Sequence, residues 1–330
     1  MSGYRPRMLR SRAAAACAVR VASVLALVLA LGAAACRSAP LPPPRPFTAE
    51  IDGGADRFLV IGDSRRGFPI VEWGAQPSDA ERIEYARALR DERPAFVAHV
   101  GDIARTGAQP AAWRDFDVDF APLRDAGVAL LPALGNHEYR GANGPALDLY
   151  FARFPALGRC HCYTRTFRGV RLVFLDSNVD EAQAPGADEQ LAWLAAELDR
   201  THDDDAVRAV MVFAHHPPYT NRVHPSESDW VRDHVVPLLS RYPKARALFA
   251  GHVHSYERFV VDGVHCVVTG GAGSPLHALR DPDDDDARPD LHRGPRTFHY
   301  CRVVVGTTLS VDVVMRAGDG AWFVADSFDI

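Results

Sequence analysis

Apolar runs of strand length alternate with helical patterns over most of this chain. The strand-like runs are residues 58–61, 95–100, 128–134, 163–167, 170–175, 207–214 and 246–250. Helical patterns separate them, at residues 78–91, 110–127, 145–154, 187–200 and 228–242. Beyond Val260 short strand-like runs follow, at residues 264–269, 300–305, 309–314 and 322–328. This order predicts one α/β domain in which βα units are followed by an antiparallel tail.

The first predicted helix has a recognisable start. Ser78 is followed three residues later by Glu81, which is the spacing of a capping box. We therefore expect a helix that begins at this serine and continues to about Asp91.

The first 35 residues differ in composition from the rest. Residues 1–20 contain five arginines and no acidic residue, and an apolar run follows from Val21 to Ala35. A basic stretch, an apolar run and small residues before a cleavage point are the features of a secretory signal. The run is shorter than the roughly 18 residues that a membrane-spanning helix needs. We expect residues 1–35 to be a signal peptide and the protein to be exported.

Residues 36–50 have the features of a membrane tether. The sequence from Ala33 to Cys36 resembles a bacterial lipobox, whose cysteine is acylated after cleavage. Ala33 stands where leucine is most common, and cleavage near Ala35 without lipidation is the alternative. The proline-rich residues 39–46 favour the tether, because such a stretch makes an extended spacer. The expected location is the bacterial periplasm or, through lipidated Cys36, the outer membrane; a free extracellular protein is the alternative.

Composition and charge exclude some partners. The chain is 47% hydrophobic and 24% charged, as in soluble globular proteins. Its formal net charge is −5, and loss of the five N-terminal arginines leaves about −10. Nothing in the sequence forms the basic patch of a nucleic-acid-binding protein. Metals and a few arginines are therefore expected to attract an anionic substrate locally, because the overall charge would repel it. The protein is expected to be a monomer or a small oligomer. The acidic residues 281–290 are expected to form a solvated loop.

Four cysteines remain after the signal and Cys36 are set aside: Cys160, Cys162, Cys266 and Cys301. An even number in an exported protein permits disulfides, with three possible pairings, and buried thiols are the alternative. Cys160-His161-Cys162 lacks a second ligand pair at the spacing of a zinc site.

Polar residues of metal-ligand type directly follow five of the strand-like runs. They are Asp63, Asp102, Asn136 with His137, His215 with His216, and His252 with His254. Ligands collect at the carboxyl ends of strands in open α/β sheets, so these five ends are expected to meet in one crevice. Carboxylates, imidazoles and an amide oxygen together suit metals such as Zn, Mn or Fe.

The motifs in which these residues lie resemble those of the calcineurin-like metallophosphoesterases. In chain order they are G-D-S-R, G-D-I, G-N-H-E, H-H-P-P-Y and G-H-V-H-S-Y-E-R. The last two resemble the purple-acid-phosphatase-like branch in particular. The resemblance covers residues 51–330 as one catalytic domain. It implies a four-layer αββα fold, in which helices flank two mixed β-sheets.

The resemblance also implies roles for individual residues. Asp102 corresponds to a carboxylate that bridges two metal ions, of Fe, Mn or Zn. Asp63 and His254 correspond to ligands of the first metal, and Asn136, His215 and His252 to ligands of the second. His137 resembles a histidine that protonates the leaving oxygen or stabilises the transition state, and His224 falls where related phosphatases place a substrate-contacting histidine.

This chain departs from its relatives at two positions. Many relatives have Asp-x-His in the first motif, whereas this chain has Asp63-Ser64-Arg65. Purple acid phosphatases have a tyrosine where this chain has Arg105. We therefore expect the first metal to be bound more loosely. Arg65 either contacts the substrate phosphate or pairs with a nearby acid to support the loop.

The sequence thus predicts an exported enzyme that hydrolyses phosphomonoesters or phosphodiesters with a hydroxide bridging two metals. The alternative is a catalytically silent envelope lipoprotein that binds phosphate or metal. All six ligand positions and His137 are present, which favours the enzyme.

Overall fold

A computed structural model describes residues 44–67, 77–224, 226–281, 292–293 and 297–330. The predicted signal peptide, Cys36 and most of the linker lie outside these residues, as does nearly all of the acidic stretch 281–290. Within the described ranges, no helix is both long and apolar enough to cross a membrane.

Thirteen strands are present among the described residues. They are β1 Arg57–Ile61, β2 Phe96–His99, β3 Ala129–Pro132, β4 Tyr163–Phe167, β5 Val170–Phe174, β6 Ala209–Phe213, β7 Ala245–Ala250, β8 Tyr256–Val261, β9 Val264–Thr269, β10 His292–Arg293, β11 His299–Val305, β12 Leu309–Arg316 and β13 Trp322–Asp329. The helices are α1 Asp79–Asp91, α2 Pro110–Asp119, α3 Ala121–Asp125, α4 Asn143–Phe151, α5 Ala187–His202 and α6, a π-turn Val231–Val235 that continues as Val236–Leu239.

The strands form two mixed sheets. The first has the order β13-β12-β11-β1-β2-β3, with β1, β2 and β3 parallel and β11 antiparallel to β1. The second has the order β10-β8-β9-β7-β6-β5-β4, with β5, β6, β7 and β9 parallel. These sheets with flanking helices confirm the predicted fold, and β11 to β13 form the predicted antiparallel tail.

Aromatic rings join the two sheets. Phe58 of β1 stacks on Phe96 of β2 with ring centroids 4.7 Å apart, and it meets Phe213 of β6 edge-on at 6.3 Å. Phe213 in turn stacks between Phe174 and Phe249 of its own sheet. Rings of this size bury large apolar areas and prefer such stacked and edge-on contacts. The contacts fix how the sheets lie on each other, and so where their strand ends meet.

Two helices differ from the sequence expectation because of proline. The pattern over 110–127 is two helices, since Pro122 has no N–H to continue the bonding of α2. Within 228–242, the π-turn at Val231–Val235 directly precedes the turn that contains Pro237. The capping box of α1 is confirmed, with the Glu81 amide donating to the Ser78 hydroxyl at 3.2 Å.

The sequence reading missed β8, because Glu257 and Arg258 interrupt its apolar pattern. Glu257 is buried and accepts hydrogen bonds from the Thr220 hydroxyl and the Asn221 amide, both at 2.6 Å. Arg258 pairs with Asp326 at 2.9 Å. The two charged side chains that interrupt the apolar pattern of this strand therefore have polar partners inside the fold.

Candidate metal centre

The six predicted ligands lie together where the two sheets meet. Asp63, Asp102 and Asn136 follow the neighbouring strands β1, β2 and β3 of the first sheet. His215 follows β6, and His252 and His254 follow the adjacent β7, in the second sheet. The five strand ends therefore meet in one place, as the sequence predicts. Three of them belong to the first sheet and two to the second.

Asn136, His215 and His252 form one half of the centre. The Asn136 Oδ1 atom lies 3.0 Å from Nε2 of His215 and 3.2 Å from Nδ1 of His252. The two ring nitrogens are 3.2 Å apart. Asp102 adjoins this half, since its Oδ1 lies 3.3 Å from Nε2 of His215.

Asp63, His254 and Asp102 form the other half. Nε2 of His254 lies 3.4 Å from Oδ1 of Asp63. All three side chains are buried, and one ligand atom from each lies within 4.8 Å of the others. Asp102 thus takes part in both halves, as a bridging carboxylate must.

Backbone carbonyls fix the tautomers of two of the histidines. Nδ1 of His215 donates to the Val100 carbonyl at 2.9 Å, and Nδ1 of His254 donates to the carbonyl of Pro275. Each neutral ring therefore turns an unprotonated Nε2 toward the centre. Histidines that bind metals usually donate their other N–H in this way.

These residues suit a pair of cations. The oxygens of Asn136 and Asp102 lie 3.0 Å and 3.3 Å from the unprotonated Nε2 of His215, and these lone pairs repel unless a positive charge lies among them. In the other half, Oδ1 of Asp63 is buried and has no hydrogen-bond partner among the described residues. Unpaired buried oxygens are costly, and a cation relieves that cost.

The charges of the centre are strongly coupled. Burial opposes ionisation of Asp102, but His215, His137 and Arg65 hold its pKa well below the usual range. Burial likewise opposes protonation of His215, yet Asp102 and Asp63 raise its pKa. The Asp102 carboxylate is therefore ionised at neutral pH.

Three of the six residues have left-handed backbone conformations. The φ angles are 60° at Asp63, 59° at Asp102 and 65° at His252. Such values are uncommon outside glycine, and Asp, Asn and His tolerate them best. Gly251 is also required beside them, because a Cβ at this position would lie 2.4 Å from Oδ2 of Asp63. Backbone strain and close packing are concentrated where the ligands are presented.

Glu138 holds two of the ligand loops together. Its buried carboxylate accepts four backbone N–H groups, from Asp102, Ile103 and Ala104 after β2 and from Gly135 after β3, at 2.8–3.0 Å. Burial and the adjacent Asp102 carboxylate raise its pKa, and the four hydrogen bonds oppose that shift by stabilising the ionised form. Glu138, the last residue of the G-N-H-E motif, thus links the two loops and positions Asp102 and Asn136.

Arg65 is buried and lies against Asp102. Its Nε is 3.4 Å from Oδ2 of Asp102, and its side chain is 5% exposed. This is the acid-pairing arrangement that the sequence offered as one of two possibilities. The same position at the bridging carboxylate leaves it close to any phosphate bound there.

His137 also lies against Asp102. Its Nε2 is 3.6 Å from Oδ2 of Asp102, and its Nδ1 donates to the Arg105 carbonyl at 2.6 Å. Burial lowers the pKa of His137 to about 4. Arg105, where relatives have tyrosine, thus contributes a backbone carbonyl to the histidine and sends its own Nη1 toward the carbonyl of Gly67.

His224 is not brought into this cluster by any observed contact. It is exposed, in a bend beyond the strand that leads to His215. Across the described part of the chain, no hydrogen bond or ring contact joins it to the six clustered residues. Its substrate-contacting role stays a prediction.

His216, which directly follows His215 in the sequence, is part of the cluster. One of its ring nitrogens lies within 4.8 Å of those of His215 and His252. The Ser177 hydroxyl accepts the amides of His215 and His216, so its own proton goes to Nδ1 of His216 at 2.9 Å. The neutral ring therefore carries its proton on Nε2 and is a donor.

His277 is a neighbour of the centre that sequence reasoning missed. Its ring stacks on His254 with centroids 3.8 Å apart, and its Nδ1 accepts the His254 amide at 3.1 Å. Its proton is therefore on Nε2, and burial lowers its pKa to about 2. It lies 23 residues after His254 outside any motif, so no sequence signal could have located it.

Asp176 supports the loop after β5. Its carboxylate accepts from the Tyr139 hydroxyl, from Asn178 and from Nδ1 of His161 at 2.9 Å. Within Cys160-His161-Cys162, the histidine thus orients the Asp176 carboxylate. Both of its cysteines are free thiols, as are the buried Cys266 and Cys301.

Comparisons with known proteins agree with this geometry. A family model described as calcineurin-like phosphoesterase matches residues 56–256. "Probable inactive purple acid phosphatase 9" of Arabidopsis thaliana is 24% identical over 246 residues, which are 64% of this chain and 37% of that protein. "Probable glycerophosphodiester phosphodiesterase GpdQ" of Arcobacter nitrofigilis is 28% identical over 224 residues, 66% of this chain and 77% of that protein.

A solved structure shows the same fold. The purple acid phosphatase PPD1 from yellow lupin seeds superposes with a TM-score of 0.62 at 18% identity, covering 87% of this chain and 55% of that chain. This chain therefore spans about half of the lupin protein and 37% of the Arabidopsis protein. Because the matched residues 56–256 include all six clustered ligands, the chain belongs to the calcineurin-like phosphoesterase family, and its purple acid phosphatase relatives confirm the branch that the motifs predict.

Proposed function

We propose that this protein is an exported phosphoesterase that depends on two metal ions and hydrolyses phosphomonoesters or phosphodiesters. One observation carries the proposal: buried oxygens and unprotonated nitrogens converge in two groups that share Asp102. Asp63, His254 and Asp102 would hold the first ion, and Asp102, Asn136, His215 and His252 the second. Ions of Fe, Mn or Zn bound there supply Lewis-acid stabilisation of phosphoryl oxygens and activate water.

The chain's own donors would orient the phosphate. His216 on the Asn136 side and His277 on the His254 side each keep Nδ1 as an acceptor, so Nε2–H is left to donate. The Arg65 guanidinium lies against Asp102. Two neutral donors and one cation fit the oxygens of a bound phosphate ester.

His137 would deliver the proton to the leaving oxygen. Since Nδ1 donates to the Arg105 carbonyl, Nε2 carries a proton only in the charged ring, and loss of that proton leaves the neutral tautomer. Because burial lowers the pKa of His137 to about 4, this transfer requires acidic solution, and the substrate comparison is made there. Protonation matters for an alkoxide leaving group and much less for p-nitrophenolate, which leaves without it.

Replacing His137 with alanine should therefore affect substrates unequally. We expect kcat/KM to fall by about 10²–10⁴ for an alkyl phosphate ester, and by less than about 10 for the p-nitrophenyl ester. The exposed His234, replaced in the same way, is the control and should change neither. Equal losses on both esters would mean that His137 holds the site in shape and does not protonate the substrate.

The function itself is tested by turnover after metal reconstitution. The mature protein, stripped with chelator and reloaded with Mn, Zn or Fe, is assayed against monoester and diester panels. We expect hydrolysis with at least one metal and two bound ions per chain. Absence of turnover with every metal, with Asn136→Ala indistinguishable from the unaltered protein, would favour the silent metal- or phosphate-binding lipoprotein.

Export and attachment rest on residues 1–36 alone. We propose cleavage before Cys36 and acylation of its thiol. The mass of the mature N-terminal peptide decides this, because an unmodified peptide or cleavage elsewhere contradicts the tether.

A further inference from the structure

The loop that directly follows β9 lies against the first motif of the metal centre, G-D-S-R. The Ala272 amide donates to the carbonyl of Gly62 at 3.0 Å, and the Ser274 amide donates to the carbonyl of Asp63 at 2.9 Å. The Ser274 hydroxyl donates to the carbonyl of Arg65 at 3.1 Å. This one loop therefore holds three of the four backbone carbonyls of the motif.

Arg82 of α1 binds the fourth carbonyl and the loop itself. Its side chain is buried, with 4% exposed. Nη1 donates to the carbonyl of Ser64 at 3.1 Å, and Nη2 donates to the carbonyl of Gly273 at 2.6 Å. A guanidinium does not lose its proton in proteins, so both hydrogen bonds are charge-assisted and strong. The buried cation thus ties the loop to the first motif.

Gly273 allows the loop to approach Arg82. Its φ is 139°, which favours glycine, and a Cβ at this position would lie 2.7 Å from Nη1 of Arg82. The planar guanidinium, in turn, reaches two carbonyls at once, which the single nitrogen of a lysine does less well. Loop and side chain are therefore matched to each other.

The two segments that Arg82 joins both serve the half of the centre formed by Asp63, His254 and Asp102, the first half. One segment contains Asp63. The other continues to Pro275, whose carbonyl accepts the Nδ1 proton of His254, so that Nε2 lies 3.4 Å from Oδ1 of Asp63. Arg82 therefore acts on the backbone that presents one candidate ligand and on the backbone that orients another.

We propose that Arg82 is a positioning residue that sets the affinity of the first half for its metal ion. The proposal rests on the proposed two-metal function and specifies how the half with fewer ligands is made to bind. Its motif has Arg65 where many relatives have a histidine, so the remaining ligands must be held accurately. Residues that orient metal ligands without touching the metal contribute strongly to affinity.

Arg82→Lys tests the proposal, because lysine keeps the charge but not the two-pronged contact. Chelator-stripped protein is titrated calorimetrically with Mn²⁺ or Zn²⁺. We expect one of the two ions to bind about 10- to 100-fold more weakly, and the other to bind as before. At saturating metal, kcat for p-nitrophenyl phosphate should return to that of the unaltered protein, since every ligand side chain is present. Arg87→Lys, exposed on the same helix, is the matched control and should change neither affinity.

Two further backgrounds show which ion is affected. Asn136→Ala removes a ligand of the second half, and adding Arg82→Lys should weaken the remaining ion by the same factor as before. Asp63→Asn removes a ligand of the first half, and adding Arg82→Lys should leave the affinity of the remaining ion unchanged. A purely structural role of Arg82 predicts instead that both ions are weakened alike, or that only the melting temperature falls.

Ser274→Ala is a milder second variant, which keeps the test open if Arg82→Lys does not fold. It removes the hydroxyl bond to the Arg65 carbonyl and leaves Arg82 in place. We expect the first-half ion to bind about 2- to 10-fold more weakly, as for the loss of one hydrogen bond. Two affinities that stay unchanged, or that fall equally, in the folded variant overturn the inference.

The outcomes separate this inference from the proposed function, because metal binding is measured without substrate. Selective weakening of the first-half ion, without turnover on any metal, keeps the role of Arg82 and removes the phosphoesterase function. Turnover with two ions that Arg82→Lys affects equally overturns the inference alone. A single ion on the unaltered chain overturns the two-metal function and the inference together.

Discussion

Replacing Asp102 with asparagine is expected to reduce kcat/KM for p-nitrophenyl phosphate by about 10³-fold or more, since losing the charge shared by two cations costs several kcal/mol. Asparagine tolerates the φ of 59° found at this position, and its Oδ1 can still accept the His137 amide. The fold should therefore persist while one of the two bridging oxygens is replaced by an N–H₂ group. Steady-state kinetics and metal content measured on the same sample give the result.

A comparison with Asp63 shows whether Asp102 is a bridge. Asp63 faces His254 with Oδ1, and its Oδ2 accepts the His252 amide at 2.8 Å, a contact that the asparagine oxygen can keep. We therefore expect Asp63→Asn to keep one metal per chain, whereas Asp102→Asn loses affinity at both sites. Asp312→Asn, on β12 in the antiparallel tail, is the control and should keep two metals and full activity. Equal metal content in the Asp63 and Asp102 variants would contradict a bridging role.

Replacing Glu138 with glutamine should lower stability even without metal. The carboxylate accepts four amide protons, two on each oxygen, and an N–H₂ group in place of either oxygen leaves two donors facing another donor. At about 1–3 kcal/mol for each of two unsatisfied buried groups, we expect a loss of about 2–6 kcal/mol. That corresponds to a melting temperature lower by about 4–24 °C for a domain of this size.

Thermal unfolding of chelator-treated protein measures this effect apart from metal binding. Glu84→Gln, on the exposed side of α1, is the matched control and should shift the melting temperature by less than about 2 °C, as surface substitutions do. An unchanged melting temperature for Glu138→Gln would mean that the ligand loops are held by other contacts.

The hydrophobic pattern was sufficient to predict the order of strands and helices and the strand ends where the candidate ligands lie. Strand-length apolar runs ending in Asp63, Asp102 and Asn136 are a local signal, and parallel strands bring their ends to one edge. The order of the strands and the face-to-face contact of the sheets depend on pairings between distant residues, such as Phe58 with Phe213. The motifs, through the family resemblance, supplied the two-sheet arrangement, which the hydrophobic periodicity does not contain.

The residues that the sequence reading missed act through distant partners. His277 is placed by the backbone of His254, and Glu138 by amides of a loop 34–36 residues away. Such groups become visible only when the chain is folded, because each residue alone looks like an ordinary surface or turn residue.

Hydrogen bonds to the Glu138 carboxylate and to the Val100 and Pro275 carbonyls, which accept them, hold the candidate ligands in position with protein groups alone. Folding of this domain and loading of its ions are therefore expected to be separate events, unlike in small zinc-dependent domains, where binding free energy is folding free energy. A chain built this way can fold first and take up its ions afterwards, from whatever its surroundings contain. Its activity would then report on the metal supply of the compartment, while its abundance would not.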